Sequence, residues 1–337
     1  MRMMTPTSTA AGGTLVLATL STLALATLVV VHIATGANWI VVPDVLAAFF
    51  SYDPENFEHV TVISMRFPRA ILAGVAGAAL SVAGALMQGV TRNPLADPGV
   101  LGLLAGASLA VVIFTTLFPS TSPAFFSPIA AFGAVGAAAL VWGISVVSRN
   151  GSNPTTLVLA GAAVTALFSA GIAMISLLDE QRFEEFRVWL TGSLAGRRFD
   201  VLAYTLPWIL LGLGIALGIS RQVTSLAMGD DVARGLGVNL KRLKILILVS
   251  VVILTAASVP IAGPLGLAGL IVPHITRLLF GHDYRRIVPF SAVIGACYLI
   301  FVDIAARVVF APAEVSTGIM AALIGCPFFI WLVRTRL

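Results

Sequence analysis

Windows of about twenty residues, nearly free of charge, recur along this chain of 337 residues. They lie near 13–35, 67–89, 99–118, 127–147, 156–178, 201–220, 243–262, 265–281, 286–309 and 315–334. As a helix, each is long enough to cross the hydrocarbon core of a bilayer. The chain is therefore expected to be all-α, a polytopic membrane protein of about ten helices forming one transmembrane domain over residues 1–337. Composition agrees: 58% of residues are hydrophobic and 10% charged, against roughly 25% charged in soluble domains. The eighth window is the shortest. With Pro264 and Pro273 it reads as a half-length or broken helix, tolerable only where the backbone is buried in protein or lines a cavity.

The first window follows a single Arg2 and is longer than the apolar core of a secretory signal, so it reads as a retained span with the N-terminus inside. Ten spans then return the C-terminus to the same side. This topology places thirteen Lys and Arg residues in inside segments and seven outside: Arg66, Arg69, Arg182, Arg187, Arg197, Arg198 and Arg307. That is the bias of a cytoplasmic face. Two outside segments are long, 36–65 and 179–200, and Trp189 and Trp208 read as membrane-interface anchors. The basic residues are dispersed, with no basic tail, which argues against nucleic acid as a partner. Cys297 and Cys326 fall inside apolar windows and read as small buried residues, without metal or disulfide spacing.

Small residues mark close helix packing: Gly74, Gly77, Ala78 and Gly84 on the second span, Gly102 and Gly106 on the third, Gly214 and Gly218 on the sixth. The second span also has unlike ends. Arg66-Phe67-Pro68-Arg69 opens it, and the turn Arg92-Asn93-Pro94-Leu95-Ala96-Asp97-Pro98 closes it. Between the sixth and seventh spans, Asp230 and Asp231 supply helix-start chemistry, and Gly235 and Gly237 helix-stop chemistry. A short helix there can gather Val232, Ala233 and Leu236 on one side. Such a helix either rests on lipid headgroups or fits a groove on a cytoplasmic partner. His274, beside Pro273, is expected to satisfy a backbone carbonyl or a neighbouring loop, since one His makes no proton-relay chain.

Together these blocks resemble the FecCD family, the permease subunits of ATP-binding-cassette importers for iron-siderophores, haem and vitamin B12. The matching residues are Arg66-Phe67-Pro68-Arg69, Gly84-Ala85-Leu86-Met87-Gln88, Arg92 to Pro98 and Leu101-Gly102. Further matches are Trp189 with Gly192-Ser193-Leu194, Gly229 to Gly237, Pro273-His274-Ile275-Thr276-Arg277, Asp303 with Arg307, and Gly325-Cys326-Pro327-Phe328-Phe329. The family's Glu-Leu-Pro-x-Gly reads here Glu314-Val315-Ser316-Thr317-Gly318, and its Gly-Phe-Val-Gly-Leu reads Gly266-Leu267-Ala268-Gly269-Leu270.

The resemblance implies a multi-pass protein of the bacterial cytoplasmic (inner) membrane. It implies two permease subunits, identical or paralogous, around a central path in membrane lipid. A cytoplasmic ATPase dimer would bind ATP and Mg below, and an extracytoplasmic substrate-binding protein would deliver a metal chelate, foremost a ferric siderophore, from above. Arg66, Arg69 and Arg307 match docking arginines for carboxylates on that binding protein, and Arg provides a fixed fork for such pairs. For these arginines the alternatives are snorkelling to the interface, or for Arg307 a pairing with Asp303 one turn earlier. Gly229, Asp230, Asp231, Ala233, Arg234, Leu236 and Gly237 match the stretch that couples to the ATPase. Asn93 and Leu95, with Thr155 and Thr156, match an inner gate; their simpler reading is a turn and a helix cap.

Other function classes find little support. A membrane enzyme should show paired intramembrane carboxylates, a metal motif or a nucleophile constellation, and the spans carry almost no ionisable group beyond Asp303. Asp303 alone is thin support for an ion-coupled transporter. With Lys241 and Lys244 the only lysines, no phosphate-binding Gly-x-x-x-x-Gly-Lys-Ser/Thr exists. No cofactor or metal is expected in this chain, and ATP hydrolysis must come from another.

Overall fold

The computed structural model describes residues 8–36, 38–118, 125–148, 154–178, 189–197 and 199–336. Arg2, Arg149, Arg182, Arg187 and Arg198, which entered the topology argument, lie outside the described residues. Among the described residues there is no strand. The helices are α1 (Ser8–Ala34), α2 (Val42–Phe50), α3 (Phe57–Thr61), α4 (Phe67–Thr91), α5 (Leu103–Leu117), α6 (Phe126–Val147) and α7 (Pro154–Leu178), then α8 (Phe199–Ala227), α9 (Asp230–Gly235), α10 (Leu240–Ala262), α11 (Ala268–Phe280), α12 (Tyr284–Val308) and α13 (Thr317–Arg336). Among the described residues, seven helical stretches are long and apolar enough to cross a membrane, and α5, α11 and α13 are shorter apolar helices.

Several boundaries differ from the sequence reading: the sixth span, for one, runs on to Ala227, and two differences shape the core. The second span extends backwards: α3 runs through a wide turn at Val62–Arg66 into α4, giving 35 continuous helical residues. The third begins later. Pro98–Leu101 forms a tight 3-10 turn, Gly102 takes φ 72°, and the α-helix starts at Leu103.

Helix α4 is the core of the molecule and packs against α12, α10, α11 and α8. Ala70, Ala73, Ala76, Ala79, Ala83 and Ala85 are all fully buried along it. In lipid there is no hydrophobic drive between helices, so close van der Waals packing of small residues takes its place. At Gly84 an added Cβ would run into the Gly269 carbonyl, and at Gly77 into that of Gly295. The Gly106 of α5 meets α6 at Gly133 in the same way. By contrast, Gly214 and Gly218 of α8 face open space, so that pair packs against no described helix.

Helix α11 is the expected half-length element. Its first turn lies beside Leu80 and Gly84, halfway along α4. The connection after α4 folds back to the same depth, since Asp97 and Pro98 lie against Gly269. The helix passes through Pro273 unbroken. Proline has no N–H, which leaves the carbonyl four residues earlier without its partner. That carbonyl belongs to Gly269, and the Gln88 side chain donates to it at 3.1 Å and to Leu270 O at 3.2 Å. A side chain on α4 thus replaces the hydrogen bond that Pro273 removes.

Three side chains are not where the sequence suggested. Trp189 is buried rather than at an interface, whereas Trp208 is exposed on α8. Cys326 is exposed on α13, because that helix turns much of its surface outward, while Cys297 is half-buried. His274 is buried with neither ring nitrogen hydrogen-bonded, so it satisfies no carbonyl.

Candidate functional site

The two ends of α4 carry two distinct polar assemblies. At the first end, Asp303 of α12 is completely buried and collects four hydrogen bonds. Arg69 donates from Nε (2.8 Å) and Nη2 (3.0 Å), Thr317 from Oγ1 (2.7 Å), and His32 from Nε2 (2.8 Å). A carboxylate oxygen only accepts, so the His32 proton sits on Nε2. The remaining Arg69 nitrogen, Nη1, donates to Glu314 at 2.9 Å. One carboxylate therefore ties together α1, α4, α12 and α13. Burying it is tolerable because it is paired and saturated with donors.

The neighbouring arginines finish α1. A helix leaves its last carbonyls unpaired and its C-terminus partially negative. Arg66 donates from Nη1 to Ile33 O (3.0 Å) and Ala34 O (2.8 Å), and from Nη2 to Asn38 O (2.7 Å). Arg307 donates to His32 O at 2.6 Å and Thr35 Oγ1 at 3.2 Å. Its Nε stays 4.0 Å from Asp303, so the same-helix pairing is weak; Arg69 holds the carboxylate instead. Arg66, Arg69 and Arg307 are thus buried and committed to internal partners. They nevertheless border a cavity of about 880 Å³ at this end, with Arg197, Glu58 and Glu314 also on its wall.

At the other end, Arg92 caps α4 with φ 50°, a left-handed conformation uncommon for a residue with a side chain. Its Nε donates to Leu226 O at 3.1 Å, and its Nη2 pairs with Asp230. Lys244 reaches the same Asp230 from α10 at 3.0 Å. Asp230 also stands at the N-terminus of α9, where the helix dipole favours a carboxylate. Gly229 (φ 132°) and Gly237 (φ 78°) make the turns on either side. Thr224 of α8 bonds Asp283 at 3.1 Å, and its hydroxyl accepts from Tyr284 N at 2.9 Å, joining α8 to the start of α12. Burial works against the Asp283 carboxylate, but hydrogen bonds from Arg285 and Thr224 hold it below its ordinary range.

Helix α9 does not present the expected apolar side. Ala233 is fully buried, while Val232 and Leu236 are exposed at 43% and 65%. A single turn separates them on the outer face, and Met228, 69% exposed, extends it. Asp231 and Arg234 pair with one another at 2.9 Å in solvent. The result is an apolar knob fastened by charge to α4 and α10.

Asn93 forms a side-chain turn, its Oδ1 accepting from Leu95 N at 2.9 Å, which is the simpler of its two readings. Leu95 is exposed. Thr156 is half-buried in the first turns of α7, and the Thr155 side chain lies outside the described residues. Sequence reasoning missed His32 and Glu314 as members of the first assembly, and Arg197 on the wall of the cavity beside it. It also missed Lys244 in the second. A His at the end of an apolar span was the one available signal among them.

A polytopic helical body, with a central rod clamped at both ends and an apolar knob projecting from one of them, is that of a multi-pass membrane protein. The chain belongs to the FecCD transport family, whose model matches residues 23–335. It is 40% identical over 305 residues to the Bacillus subtilis protein named as a siderophore transport system permease, YfiZ, covering 90% of each. It is 43% identical over 302 residues to the iron(3+)-hydroxamate import permease FhuB of the same organism, covering 90% of this chain and 78% of that one. A solved inward-facing metal-chelate type ABC transporter superposes with a TM-score of 0.81 at 28% identity, covering 93% and 97% of the two chains. Other relatives are named as citrate, cobalamin and hemin permeases. This chain is therefore the permease subunit of an ATP-binding-cassette importer for siderophore, citrate, hemin or cobalamin.

Proposed function

We propose that this permease moves a ferric siderophore across the bacterial cytoplasmic membrane by alternating access. A separate cytoplasmic ATPase dimer binds ATP and Mg and drives it. It pairs with a second permease, identical or paralogous, and receives its cargo from an extracytoplasmic binding protein. The α9 end faces the cytoplasm and the Asp303 end faces outward. The siderophore reading is supported by the names of two relatives at 40% and 43% identity.

The observation that carries the mechanism is the knob of Met228, Val232 and Leu236 on a helix riveted through Asp230 to Arg92 and Lys244. Closure of the ATPase would push the knob. The rivets pass that push into α4, a continuous buried helix that ends at Arg69 and Asp303 on the other side. The resemblance assigns an inner gate to Asn93 and Leu95, at the foot of α4, and to Thr155 and Thr156, at the foot of α7, and that movement would open it. Arg66, Arg69 and Arg307 frame the outer cavity on which the binding protein would sit.

The test is uptake into proteoliposomes containing the permease, its ATPase and the binding protein. Uptake of a ferric siderophore should require ATP and be blocked by vanadate. Leu236→Glu should leave the permease folded but abolish uptake and its stimulation of ATP hydrolysis. Uptake driven by a proton gradient without ATPase would overturn the reading.

A further inference from the structure

The end of the bundle that carries α9 holds a second cavity, of about 680 Å³, between α8 and α10. Its wall contains two guanidinium groups, Arg221 and Arg242, and no carboxylate. Other bases at this end are matched: Arg92 and Lys244 meet Asp230, Arg234 meets Asp231, and Arg285 meets Asp283. Arg221 and Arg242 are exposed, and neither pairs with a carboxylate among the described residues. The first turn of α10, capped by Asn239, borders the same cavity and adds the partial positive charge of a helix N-terminus. The cavity therefore suits an anion.

What lies next to the charge says which kind of anion. One turn deeper into each helix the wall becomes apolar, with Gly218 beyond Arg221 and Leu246 beyond Arg242. Both helices are long and apolar enough to cross a membrane. Helical spacing continues these two faces away from the cavity, through Gly214 and Leu211 on α8 and Val249 on α10. Leu211 and Val249 are exposed, and a Cβ added at Gly214 or Gly218 would meet nothing within 4 Å. A soluble anion leaves that open apolar strip bare, whereas an acyl chain covers it. The wall also lacks a carboxylate to receive the ammonium of a zwitterionic headgroup. We infer that this cavity binds an anionic phospholipid, its phosphate held by Arg221 and Arg242 and one acyl chain lying along Gly214 and Gly218. Basic pockets between spans on the cytoplasmic side are where such headgroups settle. The inference rests on the proposed function only for the leaflet it names, the cytoplasmic one.

The test uses the complete permease–ATPase complex, delipidated in detergent and titrated with phosphatidylglycerol or phosphatidylcholine under native mass spectrometry. The wild type should retain phosphatidylglycerol in preference. Combining Arg221→Gln with Arg242→Gln should weaken that retention by about tenfold or more, and either change alone by about fivefold, with phosphatidylcholine unaffected. Gly218→Leu, which fills the strip without touching the charge, should weaken it too. Arg285→Gln, at a paired arginine of the same end, should change nothing. Unchanged retention in the double variant would sink the inference. An equal loss in Arg285→Gln would do the same, because diffuse surface charge would then suffice. Displacement by glycerol 1-phosphate at a comparable concentration would make the occupant a soluble phosphate and refute the lipid. No preference for phosphatidylglycerol in the wild-type complex would refute it as well, the cavity then being filled by the ATPase. Absence of ATP-dependent uptake by the wild type would overturn the importer reading and leave these binding results standing.

Discussion

Replacing Gln88 by Leu tests a buried interhelical contact of the core. The Leu side chain fits the volume but donates nothing. Of the two carbonyls Gln88 serves, Leu270 O keeps its own helical partner, the N–H of His274. Gly269 O does not, because its partner would be the missing N–H of Pro273. One orphaned acceptor in an apolar interior should therefore decide the cost. Interhelical hydrogen bonds in membrane proteins average about 0.6 kcal/mol and reach about 1.7. An acceptor with no alternative belongs at the upper end, but the substitution also removes the amide's own Oε1, which is buried without a partner, so Gln88→Leu should destabilise by about 1 kcal/mol. Pro273→Ala returns the N–H and makes Gln88 dispensable. In that background Gln88→Leu should be close to neutral, for a coupling of about 1 kcal/mol. Unfolding of the four variants in mixed micelles with increasing dodecyl sulfate measures the cycle. Equal destabilisation by Gln88→Leu in both backgrounds would refute the idea that Gln88 stands in for the proline's N–H.

Asp303→Asn removes the negative charge buried between Arg69 and Arg307 and should cost about 3–5 kcal/mol, seen as a large drop in folded yield and unfolding midpoint. Glu314→Gln breaks a pair open to solvent, with a side chain 42% exposed, and should cost under ~1 kcal/mol. Gly84→Ala forces a methyl against the Gly269 carbonyl and should destabilise by about 1–3 kcal/mol. Gly214→Ala, facing open space, should be neutral or gain up to ~1 kcal/mol of helix propensity; thermal unfolding separates the two. Ala233→Glu buries a charge behind α9 and should prevent folding, whereas Leu236→Glu on the exposed face should fold and fail only in ATPase stimulation; size-exclusion profiles and ATPase assays distinguish these outcomes.

The all-helical, polytopic character and the order of the apolar helices were legible in the sequence, because a bilayer imposes a length of about twenty apolar residues on a helix that crosses it; among the described residues seven helices reach that length and α5, α11 and α13 fall short of it. The short eighth helix announced itself through its prolines, and the short helix between the sixth and seventh spans through Asp230, Asp231 and the glycines around them. Residue type also marked Arg66, Arg69, Arg307 and Asp303 as unusual, since ionisable groups near lipid are expensive. What residue type does not carry is the partner. Whether an arginine reaches out or folds in depends on which carbonyls and carboxylates other helices bring within about 3 Å, and those come from residues hundreds of positions away, as His32 and Asp303 do. Only the tertiary packing decided that Arg66 and Arg307 close α1, that Arg69 belongs to Asp303, that Ala233 turns inward while Leu236 turns outward, and that the Arg197 Nε finds no partner among the described residues.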